Sequence, residues 1–134
     1  MQKVFSIKTE TREALYDITE EVKAVVAESR VEQGTVSVYI QGATPAIMIQ
    51  ENWDDSVQRD VIKLLSQLIP KDVWEHDRQD SNDDAHLKAG IISPSEVVPI
   101  VMGQIGLSTW QNIFLCEFDG PRGARKIIVT VTGC

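Results

Sequence analysis

"TVSVYIQGATPAIMIQENWDDSVQRDVIKLLSQLIP", residues 35–70, carries two kinds of apolar periodicity in one span. Residues 35–41 and 46–50 are short, apolar and rich in β-branched side chains, which predicts two strands, and the "GATP" cluster between them predicts a turn. From residue 54 the period changes. Val57, Val61, Leu64, Leu65 and Leu68 recur at helical spacing, Asp54 and Asp55 stand where a helix dipole favours anions, and Pro70 stops the pattern. A helix over 54–68 is therefore predicted.

Upstream, "KVFSIK" (3–8) alternates as a strand does, and Ile18, Val22, Val25 and Val26 mark one face of a helix. Asp17 followed by Glu20 has capping-box spacing and predicts where that helix begins. Downstream, "VVPIV" (97–101), "QIGL" (104–107), "WQNIFLCEF" (110–118) and "RKIIVTV" (125–131) are short β-rich runs divided by Gly or Pro. Strand, helix, two strands, helix and then a series of strands is not a regular βαβ repeat. It predicts an α+β fold of short, mostly antiparallel strands packed with two or three helices.

At 134 residues, with 43% hydrophobic and 25% charged side chains, the chain is expected to form one domain over 1–134. Its net charge is −7 and its basic residues form no run, which argues against a nucleic-acid partner. No signal-peptide-like start and no run of about 18 apolar residues is present, so a soluble cytoplasmic protein without a membrane partner is expected. Cys116 lies in an apolar run and Cys134 at the end, which is neither a disulfide framework nor a metal knuckle.

The chemistry-bearing candidates cluster in "WEHDRQDSNDDAHLKAG" (74–90), which holds both histidines, His76 and His86. "NDDAHLKAG" (82–90) reads as a helix start with Asn82 or Asp83 as cap, placing Asp84 and His86 in or near its first turn. Imidazole is the commonest metal ligand, yet a nine-residue gap fits no standard zinc pattern, and a solvated cap with a surface histidine explains the spacing as well. Asp80, Asn82 and Asp84 open like a calcium loop, but Ala85 and Ile91 stand where that loop needs glycine and glutamate. "GPRGAR" (120–125) sets Arg122 and Arg125 in a turn able to cradle an anion, or simply to solubilise a hairpin. "STWQ" (108–111) offers hydroxyls, an indole and an amide, and Gln41 and Thr44 flank the first turn. No Walker loop, dinucleotide fingerprint or Ser/His/Asp order is found.

Taken in order, residues 34–60, 68–100 and 108–133 resemble the YjbQ family, also called the secondary thiamine-phosphate synthase family. Glu51, Asn52, Asp60, His76, Asn82, His86, Trp110, Gln111, Glu117 and Arg125 fall where that family's pattern falls. Two positions depart from it: Gly42 takes the place of a histidine in the first turn, and Met102 stands where a polar residue is expected.

The resemblance implies a homotrimer with a histidine-containing pocket near a subunit boundary. It implies catalytic roles for His86, Glu117 and Gln111, and contacts to a small phosphorylated substrate or anion from Gln41, Thr44, Asn82, Arg122 and Arg125. It also implies a divalent metal, zinc foremost, on His76, His86 and Asp84, with only two histidines to hold it. Two functions follow. One is a transferase similar to thiamine-phosphate synthase; the other is a non-catalytic trimeric protein that binds a metabolite or anion.

Overall fold

The computed structural model describes residues 1–134. In chain order the elements are β1 (Gln2–Thr9), β2 (Ala14–Asp17), α1 (Thr19–Ser29), β3 (Gln33–Ile40), β4 (Pro45–Glu51) and α2 (Ser56–Leu68). Then follow α3 (Asp77–Asp80), α4 (Asp83–Ile92), β5 (Ser95–Val101), β6 (Gln104–Ile105), β7 (Gln111–Glu117) and β8 (Arg122–Gly133). All strand pairings are antiparallel, in one sheet ordered β1-β8-β3-β5-β6 and a second ordered β2-β7-β4. The fold is α+β as the pattern predicts, with four helices rather than two or three, the extra one a single turn.

β7 explains the layering. Its residues Ile113 and Leu115 point to one side and Phe114 and Cys116 to the other, and all are buried. The first pair joins a core of 15 residues shared with the five-stranded sheet and with Val22, Val25 and Val26 of α1. The second side meets α2 and α4 through Leu65, Ala85 and Ala89, whose small or single contacts let helices lie close to Ala46 and Cys116. The result is three layers, large sheet, small sheet and the helices α2 and α4, with α1 packed into the core between the sheets. Burial pushes the Cys116 thiol up to about 12, so it is an inert core side chain.

Several local expectations are corrected. α1 starts at Thr19 without a capping box; instead Asp17 Oδ1 accepts from Thr19 N (2.9 Å) and Thr19 Oγ1 (2.6 Å), and Glu20 does not reciprocate. In α2 only Leu65 is buried, while Leu64 and Leu68 of the predicted stripe are exposed. Asn82 does stand at the N-cap of α4, but its side chain makes no cap bond because it turns to Asp119. Met102 and Gly103, both at positive φ (52° and 78°), form the two-residue turn that pairs Val101 with Gln104.

No helix is long and apolar enough to cross a membrane. At Gly120 a Cβ would come 2.2 Å from Thr11 O, so the segment before β1's partner strand admits only glycine at that close approach.

Candidate functional site

The turn between β7 and β8 gathers polar groups from four parts of the chain. Glu117 ends β7 and is fully buried. Its Oε1 accepts from Thr9 Oγ1 (2.7 Å) and Arg125 Nε (2.9 Å), and its Oε2 from Arg125 Nη2 (2.6 Å) and Asp119 N (3.1 Å). Burial by itself would raise this carboxyl, but the bonds from Arg125, Thr9 and Asp119 outweigh it and hold it below the usual range.

Arg125 is 7% exposed, and its Nη2 also donates to Thr44 Oγ1 at 2.9 Å. Nη1 makes no hydrogen bond within the chain and faces the Gly42 turn, where a Cβ would stand 3.1 Å from it. Gly42 has φ +124°, a backbone that side-chain-bearing residues rarely adopt, and a Cβ there would also press on Pro45 at 3.1 Å, so glycine is what lets the turn lie close to the guanidinium.

Asp119 extends the network outward. Its Oδ2 accepts from Asn82 Nδ2 (2.9 Å) and Arg122 Nη2 (3.0 Å), while the backbone N–H of Arg122 donates to Thr9 Oγ1 (2.8 Å). Asn82 Oδ1 is buried without a partner. One turn further along α4, the His86 ring meets the His76 ring edge-on, with centroids 5.0 Å apart and planes at 84°. His76 Nε2 lies 3.2 Å from Asp80 Oδ2.

Of the residues singled out in the sequence, Thr44, Asn82, Glu117, Arg122 and Arg125 therefore share one network, and His76 and His86 form a pair. Three others are elsewhere. Gln111 begins β7 and Glu117 ends it, a separation of about 20 Å at strand rise. Its Oε1 accepts from Ser108 N (3.0 Å). Gln41 is exposed and held only by its backbone N–H to Lys126 O.

Asp84 does not join the histidines, because Arg12 Nη2 (3.1 and 3.3 Å) and Lys88 Nζ (3.1 Å) take both of its oxygens. Burial raises its carboxyl, and these two cations overcome that and lower it. Lys88, 1% exposed, also reaches Glu13 Oε1 at 2.5 Å. No group of three His, Cys, Asp or Glu side chains is placed to hold a metal ion, so His76, His86 and Asp84 do not form the expected three-ligand set within one chain.

Sequence reading missed Thr9 and Asp119, which connect the arginines, and the Arg12–Glu13–Asp84–Lys88 cluster. A lysine four residues after Asp84 in an Ala-rich helix was the available signal. At the far end of β7, Trp53 and Trp110 pack edge to face at 4.9 Å while staying exposed.

The UPF0047 protein YjbQ-like family matches residues 3–134. Among curated relatives, the UPF0047 protein MJ1081 of Methanocaldococcus jannaschii is 42% identical over 129 residues, 96% of this chain and 92% of that protein. YugU of Bacillus subtilis, another UPF0047 protein, is 37% identical over 91% of this chain and 92% of its own. A crystal structure of a YbjQ-like protein of unknown function from Sulfolobus solfataricus superposes with a TM-score of 0.97 at 31% identity, covering 100% and 97% of the two chains. A hypothetical protein from Aeropyrum pernix gives 0.94 at 32% identity, covering 100% and 99%. With a match from residue 3 to the last residue and relatives above 40% identity, the chain belongs to the YjbQ-like UPF0047 family.

Proposed function

We propose that this chain binds a small phosphorylated molecule at the corner between Gly42 and Arg125, and works as a soluble cytoplasmic homotrimer. The observation that carries the reading is Arg125 Nη1. A guanidinium that is buried, fixed by Glu117 and Thr44, and left with one nitrogen unbonded toward the Gly42 turn is a preset donor for a phosphate oxygen. Glu117, with four hydrogen bonds, is a positioning residue for Arg125 rather than a proton acceptor.

The reaction we propose for such a site is the one the sequence resemblance implies: displacement of pyrophosphate from a pyrimidine methyl diphosphate by a thiazole phosphate nitrogen. The C–N bond forms as the C–O bond breaks, and the departing pyrophosphate keeps the electron pair. Arg125, with Arg122 on the rim, would steady that charge. No step is routed through a metal, because Asp84 is occupied and two histidines alone do not make a closed site.

Support for self-association comes from the large sheet. On its outer face Val4 stands opposite Ile128, Ile128 opposite Tyr39, and Val97 opposite Ser37, and Val4, Tyr39 and Val97 are exposed. An apolar sheet face open to water is a natural contact surface.

The second reading, binding without turnover, is favoured by a specific observation: both buried carboxylates near the site, Glu117 and Asp84, are consumed by cations. Melting temperature with added inorganic pyrophosphate, together with an assay for thiamine phosphate formation, separates the two. Stabilisation with product supports the transferase, and stabilisation without product the binding protein. An unchanged melting temperature in wild type rejects the phosphate site altogether.

A further inference from the structure

We propose that the cleft between α2 and the β2–β7 edge of the small sheet is a second binding site, one for a small organic cation with a flat apolar body, such as an aryl amine or amidine. It lies on different residues from the phosphate corner and does not rest on that reading.

The cleft follows from how α2 sits. Only Leu65 of this helix is buried, and Ile62, though packed against the small-sheet core, keeps part of its side chain exposed along one wall of the cleft. The space left measures about 790 Å³, within the range of ligand pockets. Leu15, Ile62 and Phe114 give it an apolar floor of the kind that receives a flat ring.

Its polar groups are fixed, and most of them accept. Asn52 Nδ2 donates to Asn112 Oδ1 (2.7 Å), and Asn112 Nδ2 donates to Asp17 Oδ2 (2.6 Å). That relay leaves the Asn52 carbonyl oxygen without a partner in the chain. At another wall Glu13 is held through Oε1 by Lys88 (2.5 Å) and Arg12 (3.0 Å), while its Oε2 reaches only Ser66 Oγ at 3.4 Å. Gln58 donates its amide to Glu51 O (2.8 Å), which likewise leaves its oxygen over.

The charges point the same way. Four carboxylates line the cleft against two cations, Arg59 and Lys63, and Arg59 is paired with Asp55 at 2.9 Å. An anion would meet one lining cation without an ion-pair partner, Lys63, against the carboxylates of Asp17 and Asp54, which have none either. A metal ion would find no cluster of three suitable side chains. A donor-rich cation with a hydrophobic plane satisfies both the floor and the unpartnered oxygens.

Benzamidine is the probe, with benzoate as a control of the same shape and opposite charge, titrated into the full chain and followed by amide NMR and calorimetry. Benzamidine is expected to saturate and to move the amides of Leu15, Asn112 and Phe114, while benzoate does not. Asp55→Lys, an exposed substitution, should weaken binding about ten-fold. Ile62→Trp, which fills the cleft, should abolish it with the far-UV spectrum unchanged; should that variant unfold, Asp55→Lys decides. Excess pyrophosphate should not compete. No saturation by about 10 mM benzamidine, equal binding of benzoate, wild-type affinity in Asp55→Lys, or shifts centred on Arg125 would each overturn the proposal.

Discussion

Arg125 and Glu117, eight residues apart on consecutive strands that belong to different sheets, are joined by two parallel hydrogen bonds of 2.9 and 2.6 Å in a setting almost closed to solvent. Fork-to-carboxylate pairing of this kind fixes the guanidinium plane, while Thr44 accepts from the guanidinium and Thr9 donates to the carboxylate. Cutting one partner leaves the other charge buried. Glu117→Ala should therefore cost about 3–5 kcal/mol in urea unfolding, while Arg122→Ala, on the exposed rim, should cost under about 1 kcal/mol. Equal losses for both would contradict the buried-clamp account.

Lys88 makes the same argument on α4. It is sealed between Glu13 (2.5 Å) and Asp84 (3.1 Å), whereas Arg12 reaches Asp84 from the partly open side. Lys88→Ala is expected to lower stability by about 3–5 kcal/mol and Arg12→Ala by clearly less, as read from chemical denaturation of both.

Both depressed carboxyls set the acid limit of the fold. Burial opposes the shift, but hydrogen bonds from Arg125 to Glu117 and from Lys88 to Asp84 win, so each carboxyl is more acidic folded than unfolded. Such groups contribute stability in full above the unfolded-chain value of about 4 and lose it as pH falls through the lower native value. Stability should be flat from neutrality to about pH 5 and drop below about pH 4. In Glu117→Gln the drop should be shallower, a difference measured by urea titrations at stepped pH.

Gly42 offers a test of the corner itself. A Cβ there meets Arg125 Nη1 and Pro45 Cδ at 3.1 Å and must adopt φ +124°. Gly42→Ala should cost about 1–3 kcal/mol and also reduce stabilisation by pyrophosphate, whereas Gly123→Ala, with open space around it, should change neither.

Self-association can be tested on the sheet face. Tyr39 is exposed opposite Ile128, and Tyr39→Asp should convert a trimer measured by light scattering to monomer. A wild-type monomer would reject the trimer.

What could be read from sequence were the elements that carry a recognisable apolar run or spacing. β3, β4, α2, β7 and β8 all carry such patterns, and all appear within a few residues of their predicted places. β2 was invisible: Ala14–Asp17 has no alternation to recognise, and its strand form comes from pairing with Phe114 through Glu117. The site divided in the same way. Arg125, Glu117 and Thr44 could be named in advance, but the Arg12–Asp84 link spans 72 positions and the Thr9–Glu117 link 108, and single polar residues give no sign of such distant partners. Asp84 and Gln111 were misplaced for the same reason, since only the folded chain shows which way α4 turns and which end of β7 is which.

The strand order has a consequence for folding. β8, about 80 residues beyond β3 along the chain, is inserted between β1 and β3. Until it arrives, the large sheet is two separate pieces with a missing centre, each presenting an unpaired edge and bare Val and Ile side chains. A chain truncated before Arg122 should therefore expose both edges and be prone to aggregate, and pairing of β8 with both neighbours should close the sheet in one cooperative step.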